Sequence, residues 1–225
     1  MGKEFCLMKR TVRKFYTLVE IMTVIVIAAI LFGIGIPAFT TMIQGSNMTV
    51  AIRQLSAKIS AARAYAVTNR CKVALLLVED ENEAGINPDY GFSAYRVCIV
   101  DKNTESSPFP FQEWIEDENW KVLPKGIFRN KMTSSPLEVK FEADNHEKLE
   151  KLLNDILGTL SVNNIKLKAL IFLPSGQLKK GQEITLSHGR VITESNKLKQ
   201  IKTEGSDHKL TINQYSGKVK VEVSD

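Results

Sequence analysis

The sequence predicts an α+β protein in which a long N-terminal helix, transmembrane in its first half and amphipathic in its second, packs on a C-terminal antiparallel β-sandwich-like domain with one short inserted helix. Three observations predict it. Residues 16–39 are an apolar run with one formal charge, Glu20, and a helix of about 20 apolar residues crosses a bilayer. Met48, Ile52, Leu55, Ile59, Ala62 and Ala66 then recur at steps of three and four, one stripe of a helix. Past Cys71 the period becomes extended, with strand-length runs separated by turn residues. The 225 residues leave room for one span and one domain of ordinary size, about 100 to 150 residues. The chain divides into a cytoplasmic basic leader (1–15), the transmembrane half of the helix (16–39), its amphipathic exported half (40–70) and an exported β-rich globular domain (71–225).

The leader holds Lys3, Lys9, Arg10, Arg13 and Lys14 against one acid, Glu4. Positive charge before a first apolar helix keeps that end cytoplasmic, so the remainder is expected outside. A secretory signal has a shorter apolar core, about 7 to 15 residues, closed by small residues. Pro37, Ala38, Phe39 and Thr40 make a poor site of that kind. Of 30 basic and 25 acidic residues in all, the leader takes most of the imbalance. The exported part is near neutral, so the high pI is a topology signal and nucleic-acid binding is not expected.

Glu20 is the unusual residue. A carboxylate at the bilayer centre costs about 2.5 kcal/mol or more, less near an end, and has a partner or a task; the plain alternative is an interfacial acid at the positive end of the helix dipole. Tyr16, Thr17, Leu18, Val19 and Glu20, then Ile21, Met22 and the aliphatic run to Ile36, Pro37, Ala38 and Phe39, resemble the N-terminal segment of type IV prepilins and type II secretion pseudopilins. Counting from Tyr16 puts both Glu20 and Pro37 in the family's register. The resemblance implies cleavage by a prepilin peptidase between Phe15 and Tyr16, N-methylation of Tyr16, an assembly role for Glu20 and a helix kink at Pro37. The family has Gly before the cut where this chain has Phe15 after Lys14. Cleavage between Lys14 and Phe15, or none, is therefore the alternative.

Within the second half of the helix Arg53, Lys58, Arg63 and Arg70 mostly fall off the apolar stripe and are expected to face water or neighbouring subunits. Gly33, Gly35, Pro37 and Gly45 are weak points, since glycine costs about 0.8 to 1 kcal/mol and proline about 3 kcal/mol in a helix interior. Strands are expected at 73–78 and 90–100, joined by an acidic hairpin connection at 79–89 with Gly85 and Pro88. A loop at 101–110 leads to Trp114 and Trp120. Further strands are expected at 120–123, from Ile127, at 137–141 and, after an amphipathic helix at 145–160, at 167–173, 183–187, 190–193, 198–201, 210–213 and 218–223. Phe172 to Gly176 and Ser216 to Val219 are similar to the GspH/FimT group of minor pseudopilins and pilins, where a Phe-Leu-Pro-Ser-Gly strand end is followed by paired strands and a terminal Gly-x-Val.

Catalytic chemistry is sparse. His146, His188 and His208 lack Cys or acid neighbours at metal-ligand spacing and read as surface histidines, Glu116, Asp117 and Glu118 read as a solvated run, and there is no G-x-S-x-G, P-loop or H-E-x-x-H. No enzyme, metal or cofactor is expected. Cys6 belongs to the leader, leaving Cys71 and Cys98 in an oxidising compartment. They form a candidate disulfide worth roughly 3 kcal/mol; the alternative is two buried thiols facing different ways.

Three functions remain open. One is a structural subunit assembling through its helix into a type II secretion pseudopilus or type IV pilus, with Glu20 neutralising a neighbour's N-terminal amine. A second is a minor or tip subunit whose β domain touches DNA, a surface or an exported protein. The third is a membrane-anchored exported domain that never assembles. The implied partners are the membrane through a single span, other pilin-like subunits, the prepilin peptidase and the secretion or pilus assembly machinery. The implied location is the bacterial inner membrane, with the β domain periplasmic or extracellular.

Overall fold

The computed structural model describes residues 17–79, 90–130, 132, 136–141, 166–194, 197–203 and 205–224, without the side chains of 34–44, 197 and 224. The expected helix at 145–160 and most of the hairpin connection at 79–89 lie outside the described residues. The chain falls into two units, Met1–Ile43 and Gln44–Asp225. Helix α1 (Leu18–Asn69) contributes to both. Thr17 caps it, its Oγ1 accepting the Glu20 N–H at 3.2 Å, which satisfies one of the otherwise unpaired first-turn donors.

In the second unit α1 buries Met48, Ala51, Leu55, Ile59, Ala62 and Ala66, with Ile52 packed at the margin. The stripe read from the sequence is thus the buried one, shifted slightly so that Ala51 joins it beside Met48 and Leu55. Against it stand Val73, Leu75 and Leu77 of β1 (Lys72–Leu77), Tyr95 and Val97 of β2 (Ala94–Val100), and Leu170 and Phe172 of β7 (Lys166–Phe172).

The many short strands expected from the sequence are arranged as a closed ring and a second sheet. β1 pairs antiparallel with both β2 and β7. β7 pairs with β6 (Leu137–Lys140), β6 runs parallel to β3 (Phe109–Trp114), and β3 returns to β2. Five strands therefore close on themselves, with the two-residue β4 (Lys121–Val122) added on β2. Closure removes sheet edges. It also explains the uninterrupted VALLLV run: alternate residues of β1 point inward and outward, and both sides are covered. The ring is filled by Ala74, Leu76, Val78, Cys98, Phe109, Phe111, Val139, Phe141, Leu167 and Ile171, one face of every strand.

The second sheet runs β11 (Val219–Ser224), β10 (Asp207–Ile212), β8 (Gln182–Glu194), β5 (Ile127–Arg129), with β9 (Lys197–Lys202) paired to the far half of β8. The strands expected at 183–187 and 190–193 are one strand. It changes partners at Gly189, whose φ of 150° and approach to Ile201 O leave no space for a Cβ. β3 lies partly in the loop expected at 101–110, because Pro108 and Pro110 suggest a turn, yet Pro110 occupies a strand position paired to Lys140 and Ser107–Pro108 is cis.

The Cys71–Cys98 bridge is not made; both are free thiols. The pleat gives the reason. Cys98 pairs across from Ala74 and lies in the ring interior, whereas Cys71 packs on the helix side, so the two sulfurs belong to opposite faces of the sheet.

Candidate functional site

The described part of the expected assembly segment is residues 18–33 of α1. Its large side chains are exposed: Leu18, Val19, Ile21, Met22, Val24, Ile25, Val26, Ile27, Ile30, Leu31 and Phe32. Residues 24–27 are four in succession, and at about 3.6 residues per turn they cover the whole circumference. An apolar stripe would dock on one face of a domain, whereas here the apolar surface runs all round the axis. Glu20 stands one turn in, exposed, near the capped N-terminus. Thr23 turns its hydroxyl back onto the carbonyls of Val19 (2.8 Å) and Glu20 (3.0 Å), leaving no polar group of its own pointing outward.

Lys14, Phe15 and Tyr16, and with them the cleavage and methylation positions, lie outside the described residues. So does the side chain of Pro37. Among the described residues no helix is long and apolar enough to cross a membrane.

Two polar contacts fix the second half of α1. Lys58, expected to be solvated, is 8% exposed and reaches Glu118 at 2.5 Å, so Glu118 is not part of a freely solvated acidic run. Arg63 donates from Nε to Gly176 O at 3.0 Å, and Gly217 abuts the same side chain. The two fragments singled out in the sequence, 172–176 and 216–219, are thereby brought together on α1. Only tertiary structure could show this, since 39 residues separate them. A buried ion pair, Glu79 with Arg129, joins the end of β1 to β5; Arg129 also donates to Val78 O (3.1 Å), and Glu79 accepts the Met132 N–H (3.1 Å).

His188 and His208 are near Asp207 rather than isolated. Burial and the neighbouring His208 lower the His188 pKa, opposed by Asp207. Burial pushes the Asp207 carboxyl up, but hydrogen bonds from Lys202 and Ser187 outweigh it and hold the pKa below its ordinary value. Ser187 Oγ lies 2.5 Å from Asp207 but is completely buried, so it offers no nucleophile to a substrate. His146 lies outside the described residues. Among the described residues no group of three or more His, Cys, Asp or Glu could hold a metal ion. A cleft of about 460 Å³ beside Leu123, Phe128 and Gly189 is lined without His, Cys or acid.

No protein-family model matches the chain, and no curated protein matches it. Among solved structures, two crystal forms of the type IV minor pilin FimU of Pseudomonas aeruginosa are similar. One has a TM-score of 0.40 at 12% identity, covering 80% of this chain and 90% of that one. The other has a TM-score of 0.35 at 12% identity, covering 79% and 92%.

Proposed function

We propose that the chain is a pilin-like structural subunit of the minor pseudopilin type, which assembles through the first half of α1. The observation that carries this is the exposed apolar circumference of residues 18–33 with Glu20 in its first turn. The N-terminal resemblance supplies the rest of the reading. The helix is rooted in the bacterial inner membrane and stacks beside like helices. Glu20 neutralises the N-terminal amine of a neighbouring subunit, and the cytoplasmic leader is removed at Tyr16 or Phe15. Two opposite charges desolvated together cost less than either alone, so this pair sets the axial register. The prepilin peptidase and the secretion or pilus assembly machinery act on it as separate proteins.

Intact mass and N-terminal sequencing of the protein from its own membranes test processing. A chain beginning at Tyr16 or Phe15 with one added methyl is the expected result. A retained leader favours a second reading, an anchored domain that never assembles, for which Phe15 in the place of Gly is the specific observation. Co-purification of other pilin-like chains with the wild type, lost in Glu20→Gln, is the expected assembly readout; equal recovery with the variant sinks the role of Glu20.

A further inference from the structure

Arg96 occupies the middle of β2 on the face that lines the closed ring, alternating with Ala94 and Cys98 and paired across from Leu76. It is 4% exposed. Its guanidinium carbon sits 3.8 Å from the centre of the Trp114 ring. Trp114 in turn meets Trp120 edge-on at 6.0 Å and Phe111 at 4.8 Å. The Arg96 Nε and Nη1 and the indole nitrogens of Trp114 and Trp120 are all buried, and among the described residues none has a hydrogen-bond partner. Every one of these groups is a donor. Glu118, whose charge reaches Arg96, is engaged by Lys58. The face of Trp114 offsets part of the desolvation of the cation, but it does not replace hydrogen-bond acceptors for these N–H groups, and unmade buried hydrogen bonds are costly.

We propose that Arg96, Trp114 and Trp120 form a binding site for a carboxylate. A carboxylate is acceptor-only, planar, and carries the single negative charge that one guanidinium balances. A dianionic phosphate would leave excess charge in an apolar setting. Two sources share this chemistry, a small free carboxylate and the C-terminus of a peptide. The site is separate from residues 18–33 and does not depend on assembly.

The chain contains two tryptophans, Trp114 and Trp120, so selectively excited tryptophan emission reports on this cluster alone. Full-length protein in detergent micelles is titrated with sodium acetate, sodium chloride holding ionic strength constant. A saturable emission change is expected, weakened at least tenfold in Arg96→Met. In Trp120→Phe, which keeps the ring and loses the N–H, the change read from Trp114 should need several-fold more acetate. An unsaturable or absent response, or an unchanged midpoint in either variant, overturns the site. Peptides distinguish the source: a short peptide with a free C-terminus binding more tightly than acetate assigns a chain terminus, and no gain over acetate assigns a small carboxylate. A C-terminally amidated peptide that binds as well as its free acid overturns carboxylate recognition.

Discussion

Cys98 shows how far a residue's chemistry depends on which way the strand turns it. Buried in the ring, its thiol is pushed far above the ordinary range by desolvation, and Cys71 is raised by burial to a lesser extent. Thiolate is the reactive form, so Cys98 should resist a thiol reagent in the native protein. After unfolding without reductant, all three cysteines of the unprocessed chain should titrate as free thiols; a count of one would restore the bridge. The Glu79–Arg129 pair is a second case. With side chains 1% and 3% exposed, it leaves an uncompensated charge when one partner is lost, and Arg129→Met should cost about 3 to 5 kcal/mol in urea unfolding. His188 gives a pH dependence whose sign follows from its lowered pKa. Between that value and about 6.5 the unfolded chain binds more protons than the folded one, so stability falls as pH drops through this window. The urea midpoint should be lower at pH 5.5 than at pH 7.5, and the difference should shrink in His188→Gln.

Helix α1 behaves as two halves because its two stretches of sequence meet different surroundings. From Met48 onward the apolar residues keep to one stripe and the β domain covers it. From Leu18 to Phe32 they surround the axis and are exposed. Leu55→Ala, at a side chain 1% exposed, should destabilise the domain by about 2 to 5 kcal/mol. Leu31→Ala, at 65% exposure, should leave the same transition unmoved. Equal losses would contradict the division. The stripe was legible because a 3.6 period needs only a count of positions, whereas Lys58 and Arg63 were not: their partners, Glu118 and Gly176, are remote in sequence. β8 was read as two strands because His188–Gly189 resembles a turn, and the chain passes through it by bending at Gly189.

For the whole molecule, the proposal asks the first half of α1 to reside in a bilayer. Ile27→Arg places a charge near the middle of that run, at a cost of about 2.5 to 3.5 kcal/mol by insertion scales. Less protein should then be retained in the membrane fraction, while the urea transition of the β domain stays where it was. Unchanged retention would remove the span. The sequence by itself determined the helix and its two characters, the positions of most strands and the near-neutral charge of the chain past residue 15, because hydrophobic period and charge are local properties of the chain. Tertiary structure alone decided the closure of five strands into a ring, the opposite faces of the two cysteines, the meeting of 172–176 with 216–219 at Arg63, and the enclosure of Arg96 among tryptophans. Each depends on which distant segments pair and pack together, and the residues of one segment do not specify its remote partner.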